Sequence, residues 1–170
     1  MKLLLPEAIV KRLRSQLRGR FREMGGILVG EHMGFDQFRI IDISFQKSGG
    51  ALAHFVRDPK HHKAFLADFF ARTGNDYQRF NYIGEWHSHP LFEPIPSDKD
   101  IRTMSQLVID PDVGVNFAVL IIVRLRGWSR LRISSTMFQP GRIPEDVAVE
   151  IEPEAVPSAR KRSRYRFICL

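Results

Sequence analysis

The chain has 170 residues, 44% of them hydrophobic and 26% charged, which suits one soluble domain with a proper core and leaves little room for a second. No apolar run approaches the roughly 18 to 20 residues that a membrane span requires, and the single cysteine, Cys169, excludes an internal disulfide and a cysteine-rich zinc site. Any metal would therefore rest on histidine and carboxylate. The net charge of +7 invites a nucleic-acid reading, but the tail from Arg160 onward holds five of the 26 basic residues and no acidic one. Without it the balance against 19 acidic residues is nearly even. A basic end of this kind reads as a solvated terminus with weak polyanion affinity, and no specific nucleic-acid or membrane partner is expected.

Lys2 followed by Leu3, Leu4 and Leu5 superficially resembles a signal peptide. The apolar run breaks at Pro6-Glu7, short of the ~7–15 residues of such a segment, so a cytoplasmic protein is expected. A first helix is expected from about Pro6, with Ile9, Val10, Leu13 and Leu17 as its apolar stripe. Gly25 to Val29 and Gln37 to Phe45 read as a hairpin turning through His32-Met33-Gly34. A further short strand is expected within Leu52–Val56. Asp58 then caps a helix opened by Pro59, with Phe65, Leu66, Phe69 and Phe70 at helical spacing and Gly74 as its stop. Phe80 to Trp86 reads as a strand, and Ser97 as the cap of a helix reaching about Ile109. The continuous apolar run Phe117–Val123 suits a strand buried on both faces, and Trp128–Phe138 a half-exposed one. The fold class expected is a single α/β domain over residues 1–140, a mixed central sheet flanked by helices. Residues 141–170, punctuated by prolines, are expected to be an extension with a basic, flexible tail.

The chemistry concentrates in Gly84 to Asp100, GEWHSHPLFEPIPSDKD. Side chains at i and i+2 of a strand share a face, so His87 and His89 can clamp a cation such as zinc. Taken alone, such a pair is more often a polar exposed face. Asp100 likewise has an ordinary reading as the partner of Ser97 in a capping box. Both roles coexist if the loop holding Pro90, Pro94 and Pro96 folds the helix start back over the histidines. Two histidines and one aspartate leave a fourth position for water, the pattern of a catalytic site. The base for that water is open among Glu23, Glu31, Glu85 and Glu93, with Glu85 on the face of the histidines by spacing.

The run His87-Ser88-His89-Pro90, the interval to Asp100, the Ser97-x-x-Asp100 element and the upstream Arg22-Glu23-Met24-Gly25-Gly26-Ile27-Leu28-Val29-Gly30 together resemble the signature of the JAMM (MPN-plus, JAB-domain) zinc metallopeptidases. The resemblance covers the chain from the first helix to about residue 140. It implies one zinc ion held by His87, His89 and Asp100, Glu23 as the catalytic base and Ser97 as the group steadying the tetrahedral intermediate, with Glu85 outside the site. It also implies cleavage after the C-terminal glycine of ubiquitin or a ubiquitin-like protein. The short form resembles bacterial members that accompany E1- and E2-like enzymes in anti-phage operons, CBASS included. Other members trim sulfur-carrier proteins to free a Gly-Gly end, and that is the alternative. An inactive scaffold of this fold generally lacks some of the ligands, which are all intact here.

Elsewhere, His61, His62 and Lys63 read as a solvated helix face, His32 and His54 as lone histidines, and Trp86 and Trp128 as core or strand-face residues. Tyr165, Phe167, Ile168 and Leu170 are apolar enough for a docking segment in the tail.

Overall fold

The computed structural model describes residues 1–46, 50–51, 54–55 and 59–154. The tail's apolar residues and the Asp58 cap lie outside them. Ten strands and three helices occur among the described residues: β1 Lys2–Pro6, α1 Glu7–Leu17, β2 Gly25–Gly34, β3 Gln37–Ile43, β4 Gly50–Ala51, β5 His54–Phe55, α2 Pro59–Arg72, β6 Phe80–Ser88, α3 Asp98–Ile109, β7 Ala118–Arg126, β8 Arg130–Phe138, β9 Glu145–Asp146 and β10 Ala148–Glu152. Eight strands form one mixed sheet in the order β10-β1-β3-β2-β6-β7-β8-β9, and β4 pairs with β5 alone. Pairs β1–β10, β1–β3 and β6–β7 are parallel and the rest antiparallel.

The two faces of the sheet are sorted by alternation along β7. Val119, Ile121 and Val123 join the core under α1, whose Ile9, Val10, Leu13 and Leu17 are buried against Leu3, Leu5, Met24, Leu28 and Trp86. Ala118, Leu120 and Ile122 face the other way, beneath Met104, Leu107 and Val108 of α3. Because both sets are fully covered, the strand reads as an unbroken apolar run. Helix α2 lies on the same side as α3, and between them a cavity of about 790 Å³ is left over the sheet, lined by Leu66, Phe70, Leu107 and Glu85 among others.

Several local features depart from the pattern read in the sequence. The hairpin β2–β3 turns at Phe35-Asp36, both at positive φ (42° and 55°), two residues beyond the expected turn. This is the geometry in which a two-residue loop matches strand twist. Lys2–Pro6, too short to signal a strand, is one because β3 and β10 pair with it on either side. Residues 145–152, beyond the expected domain end at 140, form β9 and β10 of the same sheet. Trp128 sits in the β7–β8 turn and is 81% exposed, whereas Trp86 is buried with its Nε1–H donating to the Ser44 carbonyl (2.9 Å). His62 does not lie on a solvated face: it is buried and lines the cavity.

Among the described glycines, Gly84 makes the closest approach to a neighbouring strand. Its φ is +153°, and a Cβ there would fall 1.9 Å from the Val119 carbonyl oxygen and 2.5 Å from the Val119 nitrogen. Both contacts are backbone in a buried parallel ladder, so neither can yield cheaply. Gly84→Ala is expected to destabilise the protein by more than about 3 kcal/mol. Calorimetry checks this, and an unchanged melting temperature would contradict the close approach.

Candidate metal centre

Strand β6 carries the histidine pair off the end of the buried sheet. His87 is in register with Ile122 of β7, and the His89 N–H still donates to the Val123 carbonyl (2.9 Å), so the ladder continues through both histidines. Both residues are buried. Their Nε2 atoms lie 3.0 Å apart. Asp100 arrives from the first turn of α3, and its Oδ1 lies 3.7 Å from His87 Nε2. One donor atom from each of the three falls within 4.8 Å of the others, the only such group among the described residues.

These distances fit a tetrahedral metal. Ligands at about 2.0–2.1 Å from a zinc ion stand about 3.4 Å from each other, and the two shortest separations here bracket that value. The donors are also prepared for it. His89 Nδ1 lies 2.9 Å from the Glu93 carbonyl oxygen. A carbonyl only accepts, so Nδ1 carries the proton and Nε2 keeps its lone pair toward the other donors. Asp100 is fixed the same way. Its Oδ2 accepts from the Ser97 backbone N–H (2.8 Å) and hydroxyl (2.6 Å), while the Asp100 N–H reaches the Ser97 hydroxyl oxygen (3.2 Å). The capping box expected from the sequence is thus formed, and it occupies only one carboxylate oxygen. Cap and metal donor are compatible because they use different atoms of Asp100.

Glu23 sits across the centre, its Oε1 3.9 Å from His89 Nε2. It precedes β2 and is held there by a reciprocal pair of bonds. The Met24 N–H donates to the Ser88 hydroxyl oxygen (3.1 Å), and the Ser88 N–H to the Met24 carbonyl (2.8 Å). Gly25 makes the approach possible: a Cβ there would lie 2.4 Å from the Trp86 carbonyl oxygen and 3.0 Å from His87 Cβ. Burial pushes the Glu23 carboxyl above its ordinary value, the nearby Asp100 charge adds to this, and His89 opposes it. A carboxyl so raised takes a proton more readily than an exposed one.

The other three glutamates stand elsewhere. Glu31 is paired with Arg79 and Arg39. Glu85, although on the histidine face by alternation, lies in the wall of the cavity with the Tyr82 hydroxyl 3.4 Å away. Glu93 gives its carbonyl to His89, but its carboxylate is gripped by Arg124 (2.6 Å) and Arg132 (2.5 Å). Ser88 and this arginine clamp were not singled out by sequence reasoning. Ser88 could have been found as the oppositely facing residue of His-Ser-His, whereas nothing in the spacing ties residue 93 to 124 and 132.

Residues 6–134 match the prokaryotic homologs of the JAB domain, a stretch that runs from α1 through Glu23, the histidine pair and Asp100 into β8, and the chain belongs to that family. Among curated proteins it is 30% identical over 124 residues to a CD-NTase/cGAS isopeptidase of Vibrio cholerae serotype O1, covering 71% of this chain and 75% of the relative. A protein of the same name from Enterobacter hormaechei subsp. hoffmannii is 26% identical over 124 residues, covering 71% of this chain and 66% of the relative. Among solved structures, the solution structure of a protein from Desulfitobacterium hafniense matches with a TM-score of 0.65 at 18% identity. It covers 89% of this chain and 94% of that one, a likeness of fold. No helix among the described residues is long and apolar enough to cross a membrane.

Proposed function

We propose that the chain is a zinc-dependent isopeptidase that cleaves after the C-terminal glycine of a ubiquitin-like protein, or of a protein conjugated in that manner, within a bacterial anti-phage conjugation pathway. The observation that carries this reading is the placement of Glu23, a buried carboxylate 3.9 Å from His89 Nε2, beside three donors spaced for one metal ion. The names of the two curated relatives support the isopeptidase activity. Partners would be the conjugate itself and the E1- and E2-like enzymes that build it, in the cytoplasm.

His87, His89 and Asp100 would hold the zinc. Bound zinc supplies a Lewis acid that polarises a carbonyl and brings the pKa of water to about 7. Glu23 would take a proton from the attacking water and return it to the departing amine. Ser97 would donate its hydroxyl to the developing oxyanion. That proton is aimed at Asp100 Oδ2 in the resting geometry, so the hydroxyl must rotate to serve. The Ser97 backbone N–H keeps the carboxylate in place when it does. A donor of this type contributes about 3 kcal/mol when it acts in the transition state.

The test is a substrate trap. A Glu23→Gln variant expressed in the source cell should retain a conjugate that the wild type releases. Mass spectrometry should find a lysine or amino terminus acylated by a C-terminal glycine. A sulfur-carrier protein with residues beyond its Gly-Gly would move the activity to precursor trimming. Capture of neither would remove the isopeptidase reading and leave the metal centre.

A further inference from the structure

The β7–β8 hairpin runs past the end of β6 and carries a square of four arginines. Arg124 lies directly across from Arg132, and Arg126 from Arg130. Side chains at i and i+2 of a strand share a face, as do cross-strand partners, so the four stand together. Since His87 is in register with Ile122, that face is also the face of the metal donors. Arg124 and Arg126 are the next two outward positions beyond Ile122.

Like charges directly opposite one another in a sheet are destabilising. The inner pair is compensated, because each guanidinium takes one oxygen of the Glu93 carboxylate. The outer pair is not. Arg126 and Arg130 are exposed and have no acidic partner among the described residues. Together with Arg132 they line a cleft of about 260 Å³. The 81% exposed Trp128 stands in the turn of the same hairpin, its carbonyl held by Arg18 of the segment after α1. A repulsive pair kept on the outer side of a candidate centre is the arrangement of a binding surface that sacrifices stability in the free protein.

We propose that this cleft is a subsite for acidic side chains of the protein substrate, engaging residues close to the bond presented at the metal centre. The inference rests on the isopeptidase reading for the nature of its occupant. A folded protein or peptide fits better than nucleic acid, because a phosphate backbone needs a row of cations along its length. On this face of the hairpin the uncompensated charge is one pair, Arg126 and Arg130, rather than a row, because the inner arginines are taken by Glu93.

The experiment uses the full chain loaded with zinc and two fluorescent probes, an oligoglutamate peptide and its oligoglutamine counterpart, titrated by anisotropy at low salt. The wild type is expected to prefer oligoglutamate, and the Arg126→Ser/Arg130→Ser double variant to lose roughly tenfold of that affinity. The control Arg142→Ser should keep it. The double variant should also melt no lower than wild type, since a repulsive pair has been removed, and its zinc content should be unchanged. Equal binding of the two probes, or unchanged oligoglutamate binding by the double variant, would overturn the proposal. So would tighter binding of a DNA duplex or inorganic phosphate that the same variant abolishes. Because the readout is binding rather than turnover, its failure leaves the trap experiment intact, and failure of the trap leaves this titration readable.

Discussion

Glu23→Gln is expected to lower kcat by about a hundred- to ten-thousandfold while zinc stoichiometry stays at wild-type level. Glutamine keeps the shape and a carbonyl oxygen but cannot accept a proton at neutral pH. The backbone bonds between Met24 and Ser88 that place residue 23 do not involve its side chain, so the fold and the donors His87, His89 and Asp100 should be untouched. Single-turnover kinetics together with metal analysis separate the two effects. A near-normal rate would hand the proton-transfer role to another group. Loss of zinc would mean that Glu23 is itself a metal donor.

The complementary result is expected at the donors. His87→Ala and Asp100→Ala should each weaken zinc binding by more than about a hundredfold, a larger loss than that of an outer partner of a ligand, and should remove activity with it. Each leaves two of the three protein donors that the separations of 3.0 and 3.7 Å bring together. Competition with a chromogenic chelator measures this without any substrate. Full metal occupancy in either variant would dismiss the assignment. Asp100→Ala should also cost helix stability, because the carboxylate completes the capping box. Its melting temperature against that of the wild type, both without metal, should show the loss of the cap's contribution of about 1 kcal/mol.

The parts of this site that could be read from sequence are those whose geometry is local. His87 and His89 share a face because a strand alternates, and Ser97 and Asp100 meet because a helix begins there. These rules operate over a few residues and need no knowledge of the rest of the chain. Glu23 was different: its position depends on β2 lying antiparallel to β6 with Gly25 opposite His87, and four glutamates were equal candidates until the family resemblance singled out one. Pairing between distant segments is likewise why β1 and β10 escaped notice. Each is five residues long, and each is a strand only because the other, or β3, lies beside it. Trp128 shows the converse failure. It reads as a core or strand-face residue opening the half-exposed strand, but the Gly127 turn at φ +60° places it at the hairpin tip.

The most direct test of the central reading is to treat the conjugate retained by the Glu23→Gln trap with purified wild-type protein and follow the linkage by mass spectrometry. With zinc present, the products should be a free C-terminal glycine on one partner and an unmodified amine on the other. Stripping the metal with phenanthroline should stop the reaction, and adding zinc back should restore it. Cleavage that proceeds undiminished in the metal-stripped protein, or a linkage that survives the zinc-loaded wild type, would contradict it.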